Sequence, residues 1–163
     1  GHTIEVSFKN PKNTLTIGDD VYKLQQFHFH APSENEIDGQ TYPLEGHFVY
    51  KTDNGKITVV SVLYNYGDEN QALKQIWDKM PQAANTETEL PQAISLDDFY
   101  PEDKDYYNFE GSLTTPPCTE GVNWIVFKNQ ETVSKEQVEK FTQTLGFENN
   151  RPIQDTNGRQ IKE

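Results

Sequence analysis

Cysteine, methionine and basic residues are scarce in this chain of 163 residues, and it has no long apolar run. One Cys, one Met, and 14 Lys and Arg against 26 Asp and Glu give a formal net charge of -12. A surface this acidic repels phosphate backbones and anionic lipid, so neither nucleic acid nor membrane is expected as a partner. No stretch approaches the roughly 20 apolar residues that span a bilayer, and no signal peptide is recognisable.

The lone Cys118 cannot form a disulfide within these residues. It is a free thiol, an intermolecular partner, or one half of a pair whose other Cys lies outside this chain. A single Cys also argues against a zinc site built from several thiolates.

Aromatic residues contribute strongly to the expected hydrophobic core. Aliphatic residues alone would give only a small core. Apolar residues make up 33% of the chain, and Phe, Tyr and Trp together reach 12%. Segment 57–64 is rich in β-branched residues, which disordered segments lack. The composition therefore predicts one folded domain spanning residues 1–163.

Five strands are predicted, the first of them from the alternation of apolar and polar residues over 2–9. They cover residues 2–9, 21–30, 43–51, 56–66 and 122–128. The turn residues Asp38-Gly39 and Asp53-Asn54-Gly55 separate the middle three, a spacing typical of antiparallel hairpins. Because the first pattern starts at the beginning of the chain with no lead-in, we expect the domain to be incomplete at its N-terminus.

Two segments have helical periodicity. One follows the candidate N-cap Asp68, and the other begins with a capping box at Ser134 and ends at Gly146. Between them, residues 81–120 are predicted to form a long ordered loop with a short helix near residues 97–100. The expected fold class is α+β, mainly β, with a twisted, largely antiparallel central sheet and a few peripheral helices.

Three of the four histidines lie in the predicted strands at positions that share a face. The period of two puts Gln26, His28 and His30 on one side of a strand, and Glu45 and His47 on one side of the next. If these strands pair, directly or with one strand between them, three imidazoles meet. Three imidazoles leave one tetrahedral position open, as in catalytic zinc sites. Gln26 and Glu45 are candidate acceptors for the second ring N–H groups.

A different metal fold uses a similar set of residues. Cupin barrels carry His-x-His, then Glu, then a later His, and His28, His30, Glu34 and His47 fit that order. Under this interpretation Glu34 is a ligand and the metal is iron, manganese or nickel. The histidine pattern leaves both interpretations open.

Motifs further along the chain favour the zinc interpretation. They are Gly1-His2, Gln26-Phe-His-Phe-His30, Ser33-Glu34, Glu45-Gly-His-Phe-Val49, Ser112-Leu-Thr-Thr-Pro-Pro-Cys118, Val122-Asn-Trp-Ile-Val126 and Asn149-Asn-Arg-Pro-Ile-Gln154. In this order they resemble the α-class carbonic anhydrases of bacterial type, from one end of the chain to the other. The resemblance implies that family's fold and the zinc-dependent, reversible hydration of carbon dioxide to bicarbonate and a proton through zinc-bound hydroxide.

The resemblance also implies a role for each matching polar residue. The zinc ligands would be His28, His30 and His47. Their second ring nitrogens would be satisfied by Gln26, Glu45 and the backbone carbonyl of Asn149. Thr114 would accept a hydrogen bond from the zinc-bound hydroxide and donate one to Glu34, while Thr115 would help to hold bicarbonate.

Two further features of the family have counterparts here. The apolar wall where CO2 rests matches Val49, Val59, Leu113, Val122 and Trp124. His2 matches the proton shuttle, and an ordinary histidine pKa of about 6.5 suits that task. Its other interpretation is a solvated residue at a chain end.

The remaining implications concern the surroundings of the protein. Bacterial relatives are periplasmic or secreted and pair the equivalent of Cys118 with a Cys in the N-terminal segment that is absent here. Sulfonamide-type and anionic inhibitors are expected ligands, and exposed edge strands predict a homodimer formed by swapping. A catalytically silent binding module of the same fold is the alternative.

Two positions depart from the family pattern. Asn35 stands where His is usual after Ser-Glu, and Phe109 stands where Tyr is usual before Gly-Ser-Leu-Thr-Thr. Neither removes a ligand, but both change the hydrogen bonds expected near Glu34 and Thr114.

Overall fold

Eight strands form one mixed sheet in the computed structural model, which describes residues 1–10, 12–90 and 93–163. They are β1 (Glu5–Ser7), β2 (Thr14–Ile17), β3 (Asp20–His30), β4 (Leu44–Lys51), β5 (Ile57–Tyr66), β6 (Tyr106–Ser112), β7 (Glu120–Phe127) and β8 (Glu131–Val133). The order is β1-β3-β4-β5-β7-β6, with β2 paired to β3 and β8 paired to β5. Among the described strands, only β5 with β7 and β5 with β8 run parallel, so the largely antiparallel sheet is confirmed.

The predicted strands agree with the structure best in the middle of the sheet. The bounds of β3, β4 and β5 lie within one residue of the prediction, whereas β1 pairs over three residues only. The predicted loop over 81–120 is wrong at 106–112, which form β6, and Pro91 and Gln92 of that loop lie outside the described residues. The strands β2 and β8 were not predicted.

Helix α1 (Gln71–Trp77) begins two residues later than the sequence suggests. The Asn70 side chain accepts from the Leu73 N–H, so Asn70 and not Asp68 is the N-cap. A short 3₁₀ helix at Leu96–Asp98 confirms the predicted turn of helix in this region.

Helix α2 (Lys135–Leu145) has the predicted ends. Ser134 and Gln137 form a reciprocal capping box, and Gly146 ends the helix in the left-handed conformation at φ 82°. Among the described residues, no helix is both long and apolar enough to cross a bilayer.

The two faces of the sheet bury different clusters. On one face Phe27 and Phe29 of β3 pack with Phe48 of β4 and against the helices, where Phe29 and Trp77 lie 5.0 Å apart between ring centroids. The alternation of β3 turns its histidines to the opposite face. That face carries a smaller apolar cluster built on β5 and β7, and it holds the candidate site.

Candidate metal centre

The register of β3 and β4 brings three histidines together. These strands pair directly and antiparallel, with His28 opposite His47 and His30 opposite Glu45. His30 and His47 are buried and His28 is half-buried. One ring nitrogen from each histidine lies within 4.8 Å of the others. The convergence that the alternation predicts is therefore present in the structure.

The second nitrogen of each ring faces an acceptor. His28 Nδ1 lies 2.7 Å from Gln26 Oε1, and His30 Nδ1 lies 3.0 Å from the Asn149 carbonyl. His47 Nε2 lies 2.9 Å from Glu45 Oε1. These contacts fix each ring so that the remaining nitrogens, Nε2 of the first two and Nδ1 of the third, face one point.

This donor set fits a borderline divalent ion such as zinc. His30 Nε2 is buried and makes no hydrogen bond in the described part of the chain, although Glu34 Oε1 lies 3.1 Å away. A buried nitrogen without a hydrogen bond costs free energy unless a ligand binds it. Burial, followed by the neighbouring histidines, lowers the pKa of His28 well below its usual value and that of His30 to about 4. Both rings are therefore neutral at neutral pH, which is the form that binds metal.

His47 and Glu45 form a buried pair with opposite pKa shifts. Burial alone lowers the pKa of His47, but the charge and hydrogen bond of Glu45, with the charge of Glu34, raise it overall. Burial alone raises the pKa of Glu45, but His47 and donors from Asn35 and Ser61 hold it at about 2. Glu45 is therefore ionised and orients His47 at any physiological pH.

Glu34 lies beside the three rings on the loop after β3. Its Oε1 is 3.1 Å from His30 Nε2 and 3.8 Å from His47 Nδ1. Burial raises its pKa, while His47, a hydrogen bond with Thr114 and one from Arg151 act to lower it. The structure thus brings Glu34 and Thr114 together, as the resemblance implies.

The role of Arg151 in the site was not predicted, although the residue lies in the motif at 149–154 that contributes to the resemblance. Its peptide N–H donates to Glu34 Oε2 at 2.6 Å, and its guanidinium donates to Ser112 Oγ at 3.1 Å. The two contacts tie the segment after α2 to both Glu34 and the end of β6. A backbone donor 117 positions from its acceptor has no signal in sequence spacing.

Five apolar residues flank the histidines in a single cluster. Val59, Val122 and Trp124 are buried, and Val49 and Leu113 are half-buried against them. The Trp124 ring lies 4.9 Å from the His47 ring and meets it edge to face. All five residues that match the family's CO2 wall therefore belong to one cluster, and its member Trp124 lies beside His47.

His2, Thr115 and Cys118 lie at the edge of this region. His2 is exposed, and its backbone carbonyl accepts from Asn149 Nδ2 at 2.9 Å. Thr115 is exposed, and its carbonyl accepts from the Cys118 N–H in a turn where Cys118 has a φ of 56°. Cys118 is half-buried and has a free thiol in this chain.

The sheet excludes the cupin interpretation. Among the described strands, β1 and β6 end the sheet order on opposite sides and do not pair with each other. The sheet is therefore open and not a closed barrel, although Glu34 lies near the histidines as that interpretation requires.

Comparison with known proteins gives one family. The family model for eukaryotic-type carbonic anhydrase matches residues 1–163. A carbonic anhydrase of Neisseria gonorrhoeae is 47% identical over 163 residues, which are 100% of this chain and 64% of that protein. One of Pectobacterium carotovorum is 45% identical, over 99% of this chain and 66% of that protein. The chain thus spans just under two thirds of these relatives.

A solved structure has the same fold at high similarity. It is the α-carbonic anhydrase of Thermovibrio ammonificans in complex with the inhibitor sulfanilamide, with a TM-score of 0.96 and 44% identity. The match covers 99% of this chain and 71% of that one. The α+β, mainly β fold expected from the sequence is therefore confirmed.

Proposed function

Since the chain belongs to the eukaryotic-type carbonic anhydrase family, we propose that it catalyses the reversible hydration of carbon dioxide to bicarbonate and a proton, with zinc as its cofactor. The observation that carries this proposal is the convergence of three imidazole nitrogens. Each ring is oriented by a contact between its second nitrogen and another group of the chain. Three protein ligands leave a fourth position for solvent or substrate, as in catalytic zinc sites. When bound there, zinc supplies a Lewis acid that makes water nucleophilic near neutral pH.

The apolar cluster beside His47 suits carbon dioxide. The substrate is small, uncharged and weakly hydrated, so side chains such as Val122 and Trp124 can hold it without hydrogen bonds. Weak binding of this kind also lets carbon dioxide leave quickly in the reverse reaction. The Trp124 ring lies 4.9 Å from the His47 ring, which supports a substrate surface beside the residues that would hold the ion.

Glu34 and Thr114 would orient the solvent or substrate molecule at the fourth coordination position of a bound zinc ion. Glu34 and Thr114 share a hydrogen bond, and the family resemblance implies that the Thr114 hydroxyl donates to Glu34 and keeps its lone pairs free to accept from another group. Thr114 would therefore favour a ligand that can donate a proton to its hydroxyl oxygen. We expect Thr115, next along the chain, to contact the anionic product, as the family resemblance implies.

The reaction also needs a route for the released proton. His2 is exposed, and its backbone is joined through Asn149 to the His30 ring. An exposed imidazole can accept the proton and pass it to buffer. This role completes the residues that we assign to the reaction.

The test is CO2 hydration by the purified chain in a stopped-flow pH-indicator assay. We expect activity after zinc loading, loss on chelation and inhibition by sulfanilamide, the inhibitor bound in the Thermovibrio relative. His47→Ala, which deletes one ligand, should abolish the activity. Full zinc occupancy with no hydration above the buffer rate would instead support a catalytically silent binding module.

A further inference from the structure

Asn35 contacts the buried carboxylate that orients His47. Its peptide N–H donates to Glu45 Oε2 at 2.9 Å, and its side-chain Nδ2 donates to Glu45 Oε1 at 2.5 Å. Glu45 Oε1 also accepts from Ser61 Oγ at 2.6 Å and lies 2.9 Å from His47 Nε2. Asn35 thus holds both oxygens of the group that fixes the His47 ring.

The same loop carries Glu34. Its peptide N–H donates to Glu45 Oε2 at 2.6 Å, while its own carboxylate lies 3.1 Å from His30 Nε2. A rotation of the Glu45 carboxylate would therefore disturb the His47 ring and displace Glu34 together. Glu45 is fully buried, so bulk water cannot replace a donor that is lost, and an unsatisfied acceptor in that place is costly.

We infer that Asn35 is a positioning residue of the metal centre: by clamping both oxygens of Glu45 it keeps His47 in its ligating orientation and slows release of the ion. The inference rests on the proposed function, because it takes zinc as the ion. It gives a role to a position where the family usually has another residue. A carboxamide can hold this carboxylate because it donates from Nδ2 while its backbone N–H reaches the second oxygen.

Zinc release from the loaded chain at 25 °C tests the inference without using activity. Asn35→Ala removes the side-chain donor and keeps the peptide N–H, and Asn35→Asp puts a second carboxylate beside Glu45. We expect both variants to release zinc to excess chelator at least about tenfold faster than the parent chain, with Asn35→Asp the faster. Asn35→His supplies a ring N–H donor in place of the carboxamide. This variant should therefore release zinc more slowly than Asn35→Ala and Asn35→Asp.

Gln137→Ala is the matched control for a loss of stability alone. Gln137 is buried, and its side chain bonds the Asn70 backbone and the α2 cap, on the helical face of the sheet. This variant should lower the melting temperature and release zinc at the parent rate. Asn35 variants that release zinc no faster than Gln137→Ala would overturn the inference.

The outcomes also separate the two proposals. A parent chain that holds zinc and hydrates CO2, with Asn35 variants that keep zinc equally well, overturns the role of Asn35 alone. A parent chain that holds zinc without hydrating CO2, but loses it faster in the Asn35 variants, supports the role of Asn35 and contradicts the proposed function. A parent chain that holds no zinc contradicts both.

Discussion

The contribution of the Thr114 hydroxyl, which shares a hydrogen bond with Glu34, can be tested by substitution. Thr114→Val keeps the shape of the side chain and removes the hydroxyl, so the ligand in the open position loses its orientation. We expect hydration to fall on the order of 10²-fold, similar to the loss of one preorganised hydrogen-bond partner in other enzymes. Stopped-flow kinetics measure this change, and zinc content should be unchanged.

Thr114→Ser provides the matched control, because it keeps the hydroxyl that donates to Glu34. It should retain most of the activity of the parent chain. Equal losses in both variants would mean that packing by the Thr114 methyl group, and not its hydroxyl, sustains the reaction.

Substitution of His2 should change kcat and leave kcat/KM unchanged. In dilute buffer His2→Ala should lower kcat at least about tenfold, since a general acid–base group contributes this much or more. The value of kcat/KM should stay near that of the parent, because proton removal follows the hydration step. Added imidazole should restore kcat. An unchanged kcat in His2→Ala would mean that His2 is a solvated residue at the chain end and not the proton shuttle.

At the scale of elements, α2 offers a direct test of capping. Ser134 accepts from the Gln137 N–H, and Gln137 reaches back to the Ser134 N–H. Ser134→Ala should lower the free energy of unfolding by about 1 kcal/mol, the usual value of such a cap. Urea unfolding measures the difference.

Ser95 is the control for that measurement. It precedes the 3₁₀ helix, but its side chain makes no capping hydrogen bond. Ser95→Ala should therefore change the free energy of unfolding by less than about 0.5 kcal/mol. Equal losses at both positions would contradict the capping account of α2.

The elements differ in how well the sequence predicts them. Strand β3 alternates more and less buried residues, so a period of two identifies it, whereas β4 and β5 are buried on both faces and are recognised as short apolar runs bounded by turn residues. Strand β6 has a mixed pattern between Asp105 and Gly111, and its pairing with β7 is visible only in the folded chain. The three residues of β8 are too few to show any period.

The residues of the candidate site also differ in how well the sequence predicts them. His28, His30 and His47 were predictable because neighbouring positions on paired strands share a face. The contact of Arg151 with Glu34 and the double contact of Asn35 with Glu45 were not, since both depend on loop paths. Sequence periodicity reports the direction of a side chain within an element and carries no information about which loop returns to it.

For the whole molecule, the buried histidines make the metal-free chain sensitive to acid. The pKa of His30 is lowered to about 4 from 6.5, so the unfolded chain binds more protons than the folded chain between these values. Stability therefore falls as the pH drops from 6.5 to about 4, by up to about 3 kcal/mol for this group. His28 acts in the same direction.

His47 does not cancel this slope. Its raised pKa gives stability that is fully present below 6.5 and is lost as pH rises through the folded value. Urea unfolding in EDTA at pH 7 and pH 4.5 measures the net change. His30→Gln should reduce the difference, whereas the exposed His2→Ala should keep it, and a parent chain equally stable at both values would contradict the argument.

The most direct test is a crystal structure of the zinc-loaded chain with anomalous data collected at the zinc edge. We expect one anomalous peak about 2.0–2.1 Å from His28 Nε2, His30 Nε2 and His47 Nδ1, with one non-protein ligand completing a tetrahedron. A peak elsewhere, or a coordination sphere completed by the Glu34 carboxylate, would contradict the assignment.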